Sequence, residues 1–364
     1  HMLILQRYIG LSVIRGFLLI ALIMVSLFLV ILLIEELDQV GTGSYNWIIA
    51  IKYVLLHAPK LLLDFASFIS LVGSIIALGS LAAHQELVAI ETIGISPRSV
   101  TNSVLVAALI LMVLVLINAQ SIIPATLQHA NVEKTLAVEG AGDFVGEGGY
   151  WAQSDHRFIH VKAVENGRIP ADVEIFEFND QHELLRYLHA DTVDLSEQTE
   201  TEWDLQGVLV KELVNGRLRV TNVDAMKWQS FLSAAQLGII VSRPEALSIT
   251  DLFRFVQGLK QRGEQSYRYE LLFWQKIMIP ISAAIMILLG MPFVFGSQRT
   301  VSTGKRITLG VLAGITFYVV SQLITHMGSL QQWSPMLIAS APSIIVLAVL
   351  VVIKLRAPSV LFAG

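Results

Sequence analysis

The most constraining feature of this sequence is its C-terminal quarter, because residues 271–364 contain no aspartate or glutamate. Basic residues interrupt this stretch at six positions, and long apolar runs lie between them. This pattern predicts membrane spans whose charges are confined to the span ends. Residues 1–127 show a similar pattern, whereas 128–270 hold 23 acidic and 14 basic residues. We therefore predict two membrane blocks that flank a water-soluble, acidic module.

Six segments approach the roughly 20 apolar residues that a spanning helix needs. They are Phe17–Ile34, Leu61–Ala83, Val100–Ile123, Ile277–Gly296, Ile307–His326 and Met336–Ile353. Spans 1–3 are predicted within residues 1–127, a β-domain over 128–247, and a connecting helix with spans 4–6 over 248–364. The predicted fold is an α-helical membrane protein with six transmembrane helices, arranged as three plus three around an inserted β-domain.

Basic residues in the short loops predict the orientation of the spans. If the N-terminus is cytoplasmic, most of the lysines and arginines next to span ends also lie in the cytoplasm, as the positive-inside rule requires. Both termini are then cytoplasmic and the β-domain lies on the opposite side of the membrane. The inverted topology remains the alternative, and it would place nearly all of this positive charge outside.

The central module alternates between apolar and polar residues with the period of a β-strand. Phe158–Lys162 and Val173–Phe178 are the clearest examples, and turn signals such as Asn215-Gly216 separate the segments. Many short strands at this spacing predict a β-sandwich or jelly roll. Its interior either packs its own side chains or accommodates an acyl chain. A short amphipathic helix over Ser248–Arg262 is predicted to follow the domain.

The chain lacks the sequence signatures of common catalytic sites. It has no cysteine, no phosphate-binding loop, no HExxH motif and no paired-carboxylate signature. His156 and His160 lie in a strand-like segment, where positions four apart are about 13 Å from each other, too far to share a metal ion. We predict no metal site and no cofactor in this chain. A permease, receptor or scaffold is favoured over an enzyme, and the acidic module argues against nucleic acid as a partner.

The loop between spans 2 and 3 contains a candidate docking helix over 84–94. Leu87 and Ile90 form an apolar face, Glu86 and Glu91 lie beside it, and Gly94 is a C-terminal cap. A short amphipathic helix of this kind suits insertion into a groove of a partner protein. The alternative is an interfacial helix on the bilayer surface, although such helices usually carry lysine or arginine on their polar face.

Charged residues at the predicted membrane boundary form a second candidate site. Lys60 and Asp64 lie at the start of span 2, and Lys134 follows span 3. Charge at this depth is costly unless it is paired or faces a polar cavity. Lys60 and Asp64 are either a simple ion pair between helix positions four apart or, with Lys134, part of a cationic rim for an anionic amphiphile.

Short motifs over nearly the whole chain resemble one known family, and their order and spacing together are specific. They are Arg7-Tyr8-Ile9-Gly10, Asp38-Gln39 with Gly41-Thr42-Gly43-Ser44-Tyr45, Pro59-Lys60, Leu78-Gly79 through Glu86-Leu87-Val88 to Gly94, Gly149-Tyr150-Trp151-Ala152, Glu245-Ala246-Leu247-Ser248-Ile249, Phe293-Val294-Phe295-Gly296 and Arg299-Thr300-Val301 with Gly304 and Arg306. The chain resembles the lipopolysaccharide-export permease family LptF/LptG, and its G-type members more closely.

This resemblance implies a subunit of an ATP-binding-cassette transporter in the inner membrane of a Gram-negative bacterium. Such permeases pair as an LptF–LptG heterodimer on two copies of the LptB ATPase, where ATP and Mg are bound. They pass lipopolysaccharide through a periplasmic jelly roll toward LptC and LptA. The resemblance also implies that Glu86 contacts the ATPase from the coupling helix and that Lys60 and Lys134 lie near lipopolysaccharide head groups. Spans 1 and 5 would form lateral gates, and Arg299 and Arg306 would belong to the cytoplasmic loop between spans 4 and 5.

The sequence departs from the family pattern in two places. Glu35 and Glu36 stand where the family often has basic residues at the outer end of span 1, so we expect them to bind divalent ions or a different partner charge. The loop between spans 4 and 5 also lacks the family's usual proline. Two other functions stay open: a mechanotransmission permease, which typically has four spans and moves no lipid through them, and a membrane scaffold.

Overall fold

The computed structural model describes residues 2–86, 97–139, 150–230 and 244–356, with short gaps at 155, 166–168, 180, 182, 196–201, 215–216, 262, 264 and 296–302. The chain divides into two compact units. The first unit comprises His1–Leu32, His57–Ile123 and Glu270–Gly364, and the second comprises Leu33–Leu56 and Pro124–Tyr269. The domain boundaries predicted from the sequence, after 127 and after 247, remain predictions.

Long apolar segments of the sequence form helices in this structure. The α-helices among the described residues are α1 (Met2–Leu37), α2 (Trp47–Leu56), α3 (Ala58–Asp64), α4 (Ala66–Ala83), α5 (Pro97–Ile117), α6 (Ile123–Glu139), α7 (Ile249–Gln261), α8 (Tyr267–Phe295), α9 (Thr303–Leu330) and α10 (Pro335–Arg356). Six stretches of these helices are long and apolar enough to cross a membrane. They coincide with the six predicted spans, so the prediction of a polytopic helical protein is confirmed.

Span 2 is broken where the sequence predicts a continuous helix. The break lies at Phe65, whose backbone (φ −102°, ψ 6°) departs from α-helical geometry, and a further break at His57, ahead of the predicted span, separates α3 from α2. Pro59 lies in the first turn of α3, where a proline costs no helical hydrogen bond. The broken segment therefore presents Lys60 and Asp64 on a short helix of its own. By contrast, α8 continues through Pro280 and Pro292.

Helix α4 lies at the centre of the first unit, and small residues allow its neighbours to approach closely. A Cβ atom added to Gly73 of α4 would lie 2.9 Å from the backbone of Gly16 in α1. On α9, a Cβ at Gly310 or Gly314 would collide with Ile75 or Phe68 of α4. Small residues at such crossings let the backbones of membrane helices touch, which strengthens van der Waals packing.

The second unit contains a six-stranded antiparallel sheet, which confirms the inserted β-domain. Its strands are β1 (Tyr150–Ser154), β2 (Arg157–Glu165), β3 (Ile169–Phe178), β4 (Leu184–Leu195), β5 (Glu202–Val214) and β6 (Arg217–Gln229). They are ordered β1 to β6, each strand pairing with the next in sequence. The described part is therefore a meander, whereas the Greek-key connections of a strict jelly roll would join strands that are distant in sequence. Val214 pairs with Arg217 on either side of the predicted Asn215-Gly216 turn.

One face of the sheet carries the core of the second unit. Its members are Ile159, Val161, Val173, Ile175, Leu188, Ala190, Val193, Trp203, Leu205, Val208 and Trp228. The rings of Trp203 and Trp228 meet edge to face at 5.8 Å. These side chains pack against one another in the described part of the domain, and a contact of the domain with an acyl chain remains a prediction.

The alternation of inward residues shifts by one position in the middle of β5. Trp203 and Leu205 point into the core before the shift, and Val208 does so after it. Gly207 lies between them with φ +63°, and a Cβ atom there would collide with the Asp191 carboxylate. Glycine is the residue that reaches this backbone conformation without strain. It therefore allows the side chains on both sides of the shift to point into the same core.

The helix predicted over Ser248–Arg262 is present as α7. The Ser248 hydroxyl accepts a hydrogen bond from the Asp251 backbone N–H at 3.1 Å and donates one to the Asp251 carboxylate at 2.6 Å. A serine at this position satisfies an unpaired N–H group of the first turn, which explains where the helix begins. The apolar face of α7 is buried, and Phe255 packs edge to face on Tyr269.

Candidate functional site

A cavity of about 430 Å³ lies among the helices of the first unit. Residues from α1, α3, α4, α8, α9 and α10 line it, including Phe28, Ile279 and Phe317 on its apolar side. Among the residues of the described ranges that line it, Lys60 and Asp64 alone carry a formal charge. Ionisable groups between membrane helices are costly, so their presence beside a cavity marks a candidate functional site.

Lys60 and Asp64 form an ion pair within α3. Lys60 Nζ donates a hydrogen bond to Asp64 Oδ2 at 2.6 Å, and their side chains are 31% and 38% exposed. The simple ion pair, one of the two sequence-based alternatives, is therefore present in this structure. The cavity lining is neutral in total, because the carboxylate compensates the ammonium. A contact of Lys60 with a lipid head group remains a prediction.

A π-helical turn over Asn118–Ile122 supports the position of this pair. It follows α5, and the side-chain amide of Asn118 donates a hydrogen bond to the Pro59 carbonyl oxygen at 2.8 Å. Asn118 is buried, so this bond is shielded from water. Turns of this kind are frequent at functional sites. This contact was not predictable from the sequence, because nothing in the pattern of an apolar span indicates which polar residue faces a neighbouring helix.

A stack of three aromatic rings closes one side of the cavity. Phe65, at the break between α3 and α4, stacks on Phe28 of α1 with ring centroids 4.1 Å apart. Its ring also stacks on Tyr318 of α9 at 5.7 Å. The stack therefore joins α1 to α9, which contain spans 1 and 5. These are the two spans that the family resemblance assigns to lateral gates, an assignment that remains a prediction.

Uncharged polar groups from the C-terminal helices face the same cavity. Gln275 of α8 donates a hydrogen bond to the Thr325 hydroxyl of α9 at 3.5 Å. Ser282 of α8 shares a short hydrogen bond with the buried Ser343 of α10. Ser321 and Gln322 also line the wall. The cavity thus offers both an apolar wall and several hydrogen-bonding groups.

Lys134 belongs to the second unit, where it forms a closed cluster with Glu36. Lys134 Nζ donates to both Glu36 carboxylate oxygens, at 2.7 and 2.8 Å, and the two side chains are 14% and 7% exposed. The Tyr45 hydroxyl donates to Glu36 at 2.8 Å, and Lys134 Nζ lies 4.5 Å from the ring centre of Tyr53. Burial and the hydrogen bond to Glu36 raise the pKa of Tyr45.

The positive charge that Glu36 binds in this structure is the Lys134 ammonium. A divalent ion or a partner charge was predicted from the sequence, whereas in the structure the positive charge comes from Lys134 of the same chain. Glu35, by contrast, is exposed. A second ion pair, between Lys52 and Glu133 at 2.6 Å, links α2 to α6. Contact of Lys134 with a lipid remains a prediction, and any such contact would have to compete with Glu36.

The predicted docking helix is described at its first residues alone. The Tyr8 hydroxyl of α1 donates a hydrogen bond to Glu86 Oε2 at 2.9 Å. The remaining predicted docking residues, Leu87, Ile90, Glu91 and Gly94, lie outside the described residues, as does Arg299 of the loop between spans 4 and 5. Arg306 is buried in the first turns of α9. The roles predicted for these residues therefore stay predictions.

The sheet face opposite the core carries a network of charged and aromatic side chains. Glu174 accepts hydrogen bonds from Lys162 and Tyr187, both at 2.9 Å, and lies 3.0 Å from His160 Nδ1. Burial opposes ionisation of Glu174, but hydrogen bonds from these three partners lower its pKa to about 2. Burial and the hydrogen bond to Glu174 raise the pKa of Tyr187 to about 12. Phe176 packs beside this network, against Tyr187 at 5.1 Å.

Comparison with known proteins places these features in one family. The family described as lipopolysaccharide export system permease LptF/LptG matches residues 7–356. The chain is 33% identical over 320 residues to the lipopolysaccharide export system permease protein LptG of Haemophilus influenzae, covering 88% of this chain and 89% of that protein. It is 30% identical over 342 residues to the LptG protein of Escherichia coli K12, covering 93% and 94%. The chain therefore belongs to the LptF/LptG family of lipopolysaccharide export permeases.

Proposed function

We propose that this chain is the G-type permease subunit of an ABC transporter that extracts lipopolysaccharide from the inner membrane and passes it toward the periplasmic bridge. The match to the family over residues 7–356 carries this proposal. The likeness to two LptG proteins over about nine-tenths of the chain supports the G-type assignment. A permease of this kind needs no catalytic residues, because a partner ATPase hydrolyses ATP with Mg.

The chemistry of the cavity suits an amphiphilic ligand. Apolar side chains such as Phe28, Ile279 and Phe317 offer a surface for acyl chains, while Lys60 offers a cation for a phosphate. The volume of about 430 Å³ lies in the range of small-ligand pockets, about 300–1,000 Å³. A lipid with several acyl chains needs more space than this, which a second permease chain such as LptF would supply.

The proposed assembly follows from the same family membership. An LptF–LptG heterodimer would bind two LptB ATPases through Glu86 and the loop that follows it. LptC and, indirectly, LptA would receive the lipid from the β-domain. Both termini would be cytoplasmic and the β-domain periplasmic, in agreement with the excess of basic residues at the predicted cytoplasmic span ends. The six candidate spans argue against a mechanotransmission permease, which typically has four.

Site-specific photocrosslinking tests the lipid path. We would place a crosslinker at Lys60, Lys134 and Phe176 in turn, and at Ser321 of the cavity wall, which leaves Lys60 in place. The chain would be co-expressed with its neighbouring permease and ATPase in cells that make lipopolysaccharide. We expect lipopolysaccharide adducts at Lys60 and Ser321, and adducts at Phe176 that require ATP.

A lipid-facing position provides the control for this experiment. Leu22 of α1 is 67% exposed and points away from the helices of its unit, so it should react with bulk lipid regardless of ATP. The proposal would be wrong if, in a complex that still hydrolyses ATP, no test position gave a higher yield of lipopolysaccharide adducts than Leu22. That outcome would favour a permease that moves no lipid through its spans.

A further inference from the structure

The Lys60–Asp64 pair leaves the cavity lining without a net positive charge that would attract an anionic lipid. Lys60 is the one cation among the described residues that line the cavity, and its ammonium lies 2.6 Å from the Asp64 carboxylate. An incoming anion is attracted by the ammonium and repelled by the carboxylate at nearly the same distance. Because one wall of the cavity is apolar, this repulsion is screened less than it would be in water. An anion that approaches Lys60 therefore competes with Asp64 for the charge of the ammonium.

Asp64 is an acid at a position where an uncharged residue would be less costly. It is the last residue of α3, and α4 begins two residues later, so the two helix ends beside it act on its charge with opposite sign. Its side chain is also exposed to a cavity between membrane helices, where an acid is costly. Residues that break a local rule in this way often serve a function. The pair with Lys60 stabilises Asp64, but an uncharged residue at both positions would avoid the cost altogether.

We propose that Asp64 is a specificity-determining residue, which acts as a built-in competitor for Lys60 and admits phosphomonoester lipids while excluding phosphodiester lipids. This inference rests on the proposed function and deepens it. A phosphomonoester carries a charge of about −1.5 to −2 and three acceptor oxygens. A phosphodiester, as in the bulk phospholipids of a bilayer, carries one negative charge and has two free oxygens.

Tethering makes the carboxylate a strong competitor for a singly charged ligand. Asp64 lies one helical turn from Lys60 and is held on the same rigid segment, so its effective concentration at the ammonium is high. A singly charged ligand that is not tethered in this way therefore does not displace the carboxylate from Lys60. Once the carboxylate has moved aside, a doubly charged phosphate gains about twice the attraction to Lys60 that a singly charged one does, so it can replace the carboxylate. The bond from Asn118 to the Pro59 carbonyl keeps α3 in place during the exchange.

Equilibrium binding to the full permease complex in nanodiscs tests this inference. The probe is fluorescent bis-phosphorylated hexa-acyl lipid A, a phosphomonoester lipid, and the competitor is phosphatidylglycerol, a phosphodiester lipid. In the wild type we expect lipid A to bind and an excess of phosphatidylglycerol not to displace it. In Asp64→Asn, lipid A should bind about tenfold more tightly and phosphatidylglycerol should now compete, because Lys60 has lost its internal partner.

Two further variants separate the role of Asp64 from general effects of charge and folding. Asp224→Asn removes an exposed carboxylate of β6 by the same chemical change and should leave both lipids as in the wild type. In a Lys60→Gln background, which should itself weaken lipid A binding, Asp64→Asn should change the affinity less than twofold, because the ammonium is absent. The double variant carries no unpaired charge in the cavity. It therefore keeps the test informative if a single variant fails to fold.

The outcomes distinguish this inference from the proposed function. If wild type binds lipid A but Asp64→Asn neither tightens that binding nor admits phosphatidylglycerol, Asp64 is not a competitor and the inference is overturned. The same holds if phosphatidylglycerol already displaces lipid A from the wild type. If the wild-type complex does not bind lipid A at all, the proposed function itself fails.

Discussion

At the scale of single residues, Glu36 is a buried acid whose charge is paired within its own chain. Its side chain is 7% exposed, and it accepts three hydrogen bonds, two from Lys134 and one from Tyr45. A buried charge is tolerated when it is paired and its remaining lone pairs are satisfied. The cluster therefore fastens the last turn of α1 to α6 and to the Tyr45 segment between them.

Removing one partner of this pair should destabilise the second unit. We expect Glu36→Gln, and likewise Lys134→Met, to lower the free energy of unfolding by about 3 kcal/mol, because each leaves a buried charge unpaired. The double variant should be more stable than either single one. Thermal unfolding of the purified chain in detergent measures this. If Lys134→Met kept full stability and lost lipid binding, Lys134 would be a direct lipid contact instead of a structural one.

At the scale of elements, the crossing of α1 and α4 depends on two glycines. Gly16 and Gly73 face each other so closely that a Cβ on Gly16 would collide with the Gly73 carbonyl oxygen. The two helices thus meet backbone to backbone, with no side chain between them. This contact holds α1, which carries Phe28 of the aromatic stack, against the helix that follows the break at Phe65.

Adding a single methyl group at this crossing should separate the two helices. Gly16→Ala and Gly73→Ala are each expected to destabilise the chain by about 1–3 kcal/mol, the usual effect of overpacking. Gly79 provides a matched control on α4, since nothing lies within 4 Å of its added Cβ. Gly79→Ala should be neutral or slightly stabilising. Thermal unfolding compares the three variants, and equal stability of Gly16→Ala and Gly79→Ala would contradict the close contact.

At the scale of the whole molecule, the proposed function requires a path from the ATPase to the helices. The hydrogen bond from Tyr8 to Glu86 joins the first turns of α1 to the beginning of the predicted docking segment. Helix α1 then contacts α4 at the glycine crossing and reaches the cavity at Phe28. Tyr8 is therefore placed to hold the Glu86 carboxylate in position and to relay its movement to α1.

Loss of the Tyr8 hydroxyl should weaken coupling without preventing assembly. In Tyr8→Phe we expect lipid-stimulated ATP hydrolysis to fall about fivefold, the equivalent of one hydrogen bond of about 1 kcal/mol. Glu86→Ala should uncouple hydrolysis from export more completely. Ser12→Ala is the control, because the Ser12 hydroxyl bonds within its own helix, to the Tyr8 carbonyl. Full stimulation in both Tyr8→Phe and Glu86→Ala would show that this contact plays no part in coupling.

The composition of the sequence by itself determined the fold class of this protein. An acid-free stretch such as 271–364 has no soluble fold to adopt, because burying that much apolar surface requires a membrane. The alternation around Phe158–Lys162 likewise requires a strand with one buried face, and β2 covers it. The pairing of Lys60 with Asp64 was foreseeable as well, since it depends on helix spacing and involves neighbours in sequence.

Tertiary structure alone decided which distant residues meet. Lys134 and Glu36 are 98 positions apart and Tyr8 and Glu86 are 78 apart, and no periodicity encodes such pairs. The break of span 2 at Phe65 was also hidden, because hydropathy averages over a span and does not register one non-helical residue. The fold class follows from the transfer of apolar surface out of water, which composition reports, whereas the site depends on packing geometry, which arises once the helices are in contact.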